Sequence, residues 1–163
     1  MTKDMKKIGL LCNTQKPEAI ETAGRLWHWG RDEGISFLFP PHEASAISIP
    51  GVDDETWRKE AAFAVILGGD GTFLRAARYT FGNAIPLYGI NLGRLGFLAI
   101  GSPESAEEDI KSIIAGHYTL QRRHLLKGQV WRSGRLVHEL HALTDFVLPK
   151  GSIARVTDRT VKV

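Results

Sequence analysis

The sequence predicts an α/β chain: an open, mostly parallel sheet with flanking helices, followed by an incomplete all-β unit. Three observations carry this reading. Apolar runs of strand length alternate with segments of helical period as far as about residue 116. One of them, Ala62 to Leu67, is apolar throughout, as in a strand buried on both faces of a parallel sheet. From Tyr118 to Val163 the helical period is absent, and Ser133-Gly134 separates two strand-like segments as a two-residue hairpin turn does.

Taken in order, Lys7 to Cys12 reads as a short buried strand ending at Asn13-Thr14. Pro17 to Glu33 reads as a helix, with proline in its first turn, Gly34 past its end, and Ile20, Ala23, Leu26, Trp27 and Gly30 at helical spacing. Ile35 to Phe39 is a second strand, closed by Pro40-Pro41. Residues 42–54, with Pro50-Gly51, read as a surface loop, and Asp54 to Lys59 as a short helix. After the apolar run come a glycine loop, a helix over Phe73 to Tyr79, and a strand over Ile85 to Ile90. Pro103 to Gly116 follows as a helix, with Ser102 as N-cap and acids in the first turns. Beyond it, Leu126–Arg132, Arg135–Leu140, Leu143–Leu148 and Arg155–Val163 read as strands. The expected division is a Rossmann-like α/β domain over residues 1–116 and the start of a β domain over 117–163. So few strands leave unpaired edges. The chain is therefore expected to be a fragment or to rely on a partner, with a homo-oligomer as the expected assembly.

Composition narrows the classes. The 163 residues are 43% hydrophobic and 24% charged, which excludes disorder, collagen and coiled coil. No apolar run approaches the ~20 residues of a membrane span, so no membrane partner is expected. The short apolar stretch Ile8 to Cys12, preceded by Asp4, does not make a signal-peptide core. Cys12 is the only cysteine, so no intrachain disulfide forms; a reducing, cytoplasmic setting is expected, with Cys12 as a packing residue. A net charge of +3 suits a small anion as well as it suits nucleic acid. Nucleic acid is not expected, because the tryptophans form no stacking ladder and Arg122-Arg123 reads as a solvated edge. His138 and His141, three apart in a strand, face opposite ways and make no metal pair.

The chemistry concentrates in Gly68-Gly69-Asp70-Gly71-Thr72, between the apolar strand and a helix that begins near Thr72. Such strand ends bind ligands in open parallel sheets. Glycines let backbone N–H groups approach phosphate oxygens, and a helix N-terminus favours anions. Arg75 and Arg78, one and two turns in, add positive charge. Asp70 is the odd member, because a carboxylate beside phosphate is unfavourable unless it binds a metal, accepts from a hydroxyl, or acts as a general base. In the plainer alternative, Asp70 caps a turn and the glycines supply positive φ. Neither the P-loop pattern nor a strand-linked Gly-x-Gly-x-x-Gly is present.

Gly68 to Thr72 resembles the loop shared by NAD kinases, diacylglycerol and sphingosine kinases, and ATP-dependent sugar-phosphate kinases. Gly89-Ile90-Asn91-Leu92-Gly93-Arg94-Leu95-Gly96-Phe97-Leu98 resembles the second signature of bacterial and archaeal NAD kinases. Ala142 to Leu148 with Gly151 to Arg155 is similar to the segment in which that family holds the dinucleotide. The resemblance implies phosphorylation of NAD on the adenosine ribose 2′-hydroxyl, with ATP or polyphosphate as donor and Mg2+ accompanying the triphosphate. It implies Asp70 as the catalytic base. It implies nucleotide binding by Gly68, Gly69, Gly71, Thr72, Arg75 and Asn91, with Phe97 packing on the base. Asp145 would bind ribose hydroxyls and Arg155 would lie beside the nucleotide. Thr144 stands where the family has Asn, exchanging an amide for a single hydroxyl. Family members continue into a complete β domain, so half the cleft is expected to be missing. The alternatives are a nucleotide-binding module without catalysis, and a lipid or sugar-phosphate kinase sharing only the glycine loop.

Overall fold

The computed structural model describes residues 4–93 and 96–147. The chain divides into two compact units, Met1–Gln121 and Arg122–Val163.

The first unit contains β1 (Lys7–Cys12), α1 (Pro17–Glu33), β2 (Ser36–Leu38), α2 (Pro41–Ala46), α3 (Asp54–Glu60), β3 (Phe63–Gly68), α4 (Asp70–Tyr79), β4 (Leu87–Asn91) and α5 (Ala106–Ile114). Its four strands are all parallel, in the order β2-β1-β3-β4. β3 lies inside the sheet and is buried at every position, as its unbroken apolar run predicts. Its side chains alternate between two cores. Val65 and Leu67 join Ile8, Leu10 and Ile90 of the sheet beneath α1 and α5. Ala64 and Ile66 join Trp57 of α3 and Ala76 of α4 on the opposite face. Gly9 makes room for the second core, since a Cβ there would run into the Trp57 ring. The ring's Nε1 donates to the Leu38 carbonyl at 2.8 Å, so its polar edge is satisfied inside the core.

Several element boundaries differ from the sequence expectation, three of them around helices. Residues 41–46, where Pro41 is expected to close a strand and a loop to follow from residue 42, form α2: Pro40 is the extended N-cap, Pro41 starts the helix, and Ala44 docks in the core. Six residues are too few to display a helical period. α4 begins at Asp70 rather than near Thr72, with the Gly69 carbonyl accepting from the N–H groups of Thr72 and Phe73. α5 begins at Ala106 rather than Pro103, because residues 103–105 form a turn; Ser105, not Ser102, is the N-cap, and the Ser102 Oγ accepts from the Ser105 N–H at 3.3 Å.

The described residues of the second unit form a hairpin of β5 (Leu126–Arg132) and β6 (Arg135–Ala142), antiparallel, with Arg132 opposite Arg135. Ser133 and Gly134 both have positive φ, 49° and 76°, as a two-residue turn that matches the strand twist requires. The strand expected over Leu143–Leu148 is not formed at residues 143–147. There the chain leaves the ladder after Ala142, and the Phe146 ring lies against Gly128 of β5, where a Cβ would come within 2.8 Å of it. Leu148, the strand expected over Arg155–Val163, Arg155 itself, and Arg94 and Leu95 lie outside the described residues.

Candidate functional site

Strand order locates the site. From β1 the chain crosses to β2 on one side of the sheet and later to β3 on the other. The crossovers diverge there, so a crevice opens at the carboxyl ends of β1 and β3, the position where open α/β sheets take their ligands. A cleft of about 480 Å³ lies there. It is lined by Cys12 at the end of β1 and residues 13–16 after it, by His42 of α2, and by Gly69, Gly71, Thr72 and Arg75 at the N-cap and start of α4.

The glycines of this turn have separate roles. Gly68 is a close-approach position, because a Cβ there would meet the Thr72 side chain. Gly69 and Gly71 have open space where a Cβ would stand, and both face the cleft. Gly69 has φ −112°, and the positive-φ glycines of the described residues are Gly34, Gly82, Gly116 and Gly134. The turn therefore uses glycine for bareness rather than for left-handed backbone. The N–H groups of α4 that precede Thr72 come before the first turn closes and carry the positive end of the helix dipole.

Asp70 does not line the cleft. Its Oδ2 accepts from the Phe97 N–H at 3.0 Å and its Oδ1 from the Leu98 N–H at 3.0 Å. These two bonds, Phe97 first, hold the carboxyl below the usual carboxylate range. The group is ionised at neutral pH, and each oxygen keeps acceptor capacity for a hydroxyl. Gly96 is required beside it, since a Cβ there would run into the carboxylate. Phe97 presents its ring almost wholly to solvent, at 92% exposure. Asn91, the last residue of β4, pairs with Gly68 across the ladder.

Arg75 lines the cleft but is heavily engaged. One guanidinium nitrogen lies 2.8 Å from Glu43, a carboxylate only 2% exposed, and another donates to the Cys12 carbonyl at 2.7 Å. The Cys12 thiol is pushed up to about 11 by burial, with Glu43 adding and Arg75 opposing, so it remains a neutral packing group. Thr144 and Asp145 are exposed residues that follow β6 in the second unit. Sequence reasoning missed Asn13, Thr14, Gln15, Lys16 and His42 of the cleft wall; their one signal is position after β1 and β2, which acquires meaning only with the strand order.

Residues 50–118 match the ATP-NAD kinase N-terminal domain family. The chain is 35% identical over 162 residues to the NAD kinase of Aromatoleum aromaticum, covering 97% of this chain and 54% of that one. It is 33% identical over 168 residues to the NAD kinase of Photorhabdus laumondii, covering 100% and 57%. Over these spans the chain is similar to NAD kinases. It spans about half the length of the NAD kinases it matches. In fold it is similar to yeast NADH kinase complexed with NADH, with a TM-score of 0.74 at 16% identity over 84% of this chain and 46% of that one. An NAD kinase from Archaeoglobus fulgidus in complex with ATP gives a TM-score of 0.53 at 20% identity over 80% and 45%.

Proposed function

We propose that the protein acts as an NAD kinase, moving the terminal phosphoryl group of ATP or polyphosphate to the 2′-hydroxyl of the adenosine ribose of NAD. The observation that carries this is the bare Gly69–Gly71 turn at the switch-point cleft, with an ionised Asp70 directed to the backbone of the Phe97 bend. The turn and the α4 N-terminus suit the donor phosphates. Phe97 offers a ring face for the adenine, and Asn91, Thr144, Asp145 and Arg155 complete the proposed dinucleotide contacts. Mg2+ is assigned to the triphosphate as part of the substrate. In the reaction the 2′-oxygen attacks the γ-phosphorus and the bond to the bridging oxygen breaks. ADP leaves, and the hydroxyl proton passes to Asp70. A carboxyl held low in pKa accepts that proton late, so its larger contribution is to orient the hydroxyl.

In this reading residues 1–116 are the kinase α/β domain and residues 117–163 belong to its β domain. The single cysteine supports a reducing cytoplasmic setting, and the exposed apolar hairpin supports a homo-oligomer. The decisive assay mixes the protein with NAD, ATP and Mg2+ and measures NADP. Asp70→Asn is expected to cut turnover by about 100-fold or more. An unchanged rate constant would remove Asp70 from proton acceptance, and no NADP from the unaltered polypeptide would remove catalysis by it. One observation favours a second reading, nucleotide binding without catalysis: both Asp70 oxygens already serve Phe97 and Leu98. Calorimetric binding of NAD or ATP without turnover would establish that alternative.

A further inference from the structure

Lys16 is fixed in backbone and extended in side chain. Its N–H donates to the Asn13 carbonyl at 3.0 Å, and its own carbonyl accepts from Ala19 at 3.0 Å and Ile20 at 3.2 Å as the N-cap of α1. Its Nζ donates to the Leu92 carbonyl at 3.2 Å. Lys16 follows β1 and Leu92 follows β4, with β3 between those strands in the sheet. The Leu92 N–H in turn donates to the Gly68 carbonyl at 3.1 Å. The ammonium therefore crosses over the end of β3, beside the Gly68–Gly69 turn, and it lines the same cleft.

The two cations of this cleft are not equivalent. Arg75 faces the buried Glu43 carboxylate, so its charge is largely cancelled where it stands. Lys16 has no carboxylate within ion-pair distance among the described residues; its Nζ meets the Leu92 carbonyl, a neutral acceptor that a phosphate oxygen outcompetes. Gly93 keeps the ammonium's end of the cleft open, with a Cβ there only 3.1 Å from Nζ. Resting on the functional reading above, we infer that Lys16 is the cation that binds the donor polyphosphate in the switch-point cleft, while Arg75 with Glu43 is a neutral pair that shapes its wall.

The test is titration of the protein with inorganic tripolyphosphate, and separately with ATP, by calorimetry at low and high salt. Lys16→Met is expected to weaken tripolyphosphate binding about 10-fold at low salt and to flatten its salt dependence. Lys16→Arg is expected to stay within about 3-fold. The double variant E43Q/R75Q removes both charges together, leaves no buried ion alone, and is also expected to stay within about 3-fold. Thermal melts check that each variant folds. In the unaltered protein, tripolyphosphate should protect Lys16 from reductive methylation, read by peptide mass, which needs no variant. An unaffected Lys16→Met, an unprotected Lys16, or a double variant as weak as Lys16→Met would overturn the inference while leaving the cleft reading in place. Failure of the unaltered protein to bind either tripolyphosphate or ATP would overturn both.

Discussion

Val65 in β3 has no exposed surface, whereas Val130 in β5 is 42% exposed, although both are valines within paired strands. The contrast extends to the tryptophans: Trp57 is fully buried and Trp131 is 59% exposed. In the first unit, helices cover both faces of a four-stranded sheet, so every residue of β3 finds partners. Among the described residues of the second, two strands make a ribbon, and Leu136, Val137 and Leu140 remain exposed beside Val130 and Trp131. Identical side chains thus stabilise one region and leave the other with apolar surface to cover. A ribbon of two strands has no second layer to bury its faces against.

The largest test of this contrast is in the tryptophans. Trp57→Ala is expected to destabilise the first unit by about 3–5 kcal/mol, through lost burial and an orphaned Leu38 carbonyl. Trp131→Ala is expected to change stability by less than about 0.5 kcal/mol. Urea denaturation followed by circular dichroism compares them, and equal costs would break the contrast. The next test concerns the exposed ribbon. Light scattering is expected to show self-association, and Leu140→Lys to weaken it about 10-fold by charging the apolar surface. A monomer at all concentrations would remove the homo-oligomer.

The smallest effect lies in pH. Asp70 in the first unit and Glu139 in the second are both held below the usual carboxylate range, but by different partners. Backbone N–H groups of Phe97 and Leu98 act on Asp70. Glu139 is held first by Lys127, 2.9 Å away in an exposed ion pair, and then by Gln129. For a depressed carboxyl, the stabilisation is present above the unfolded pKa and is lost as pH falls through the folded one. The Phe97 and Leu98 amide shifts should therefore titrate with a midpoint below the usual carboxylate range. High salt should raise the Glu139 midpoint and leave that of Asp70 nearly fixed, because its partners are neutral. Equal salt sensitivity in the two NMR titrations would show that Asp70 is governed by charge instead.

Legibility followed the range of the interactions. The Ser133-Gly134 turn was readable because its two residues alone dictate the backbone. α1 was readable because Pro17 and Gly34, the latter at φ 67°, mark both its ends. α2 was not, since its six residues become helical by docking Ala44 in the core. The glycine turn was located correctly, yet its alternative explanation through positive φ does not hold, because Gly69 is at φ −112°. The buried Glu43 that answers the charge of Arg75 is equally hidden in the sequence, because it lies in α2, which is too short to show a helical period.

The amino-acid order by itself determined the alternation of strands and helices, the double burial of β3 and the place of the glycine turn. Each of these is written in the period or identity of neighbouring residues. Only the tertiary structure decided that β1 and β3 stand side by side with their crossovers diverging. It also decided that the Lys16 ammonium reaches a carbonyl 76 residues away, and that Asp70 turns toward amides 27 and 28 residues on. Hydrophobic period records which face a segment buries but carries no record of which strand lies beside it. The cleft, its cation and the pose of its carboxylate therefore emerge only once the sheet has closed.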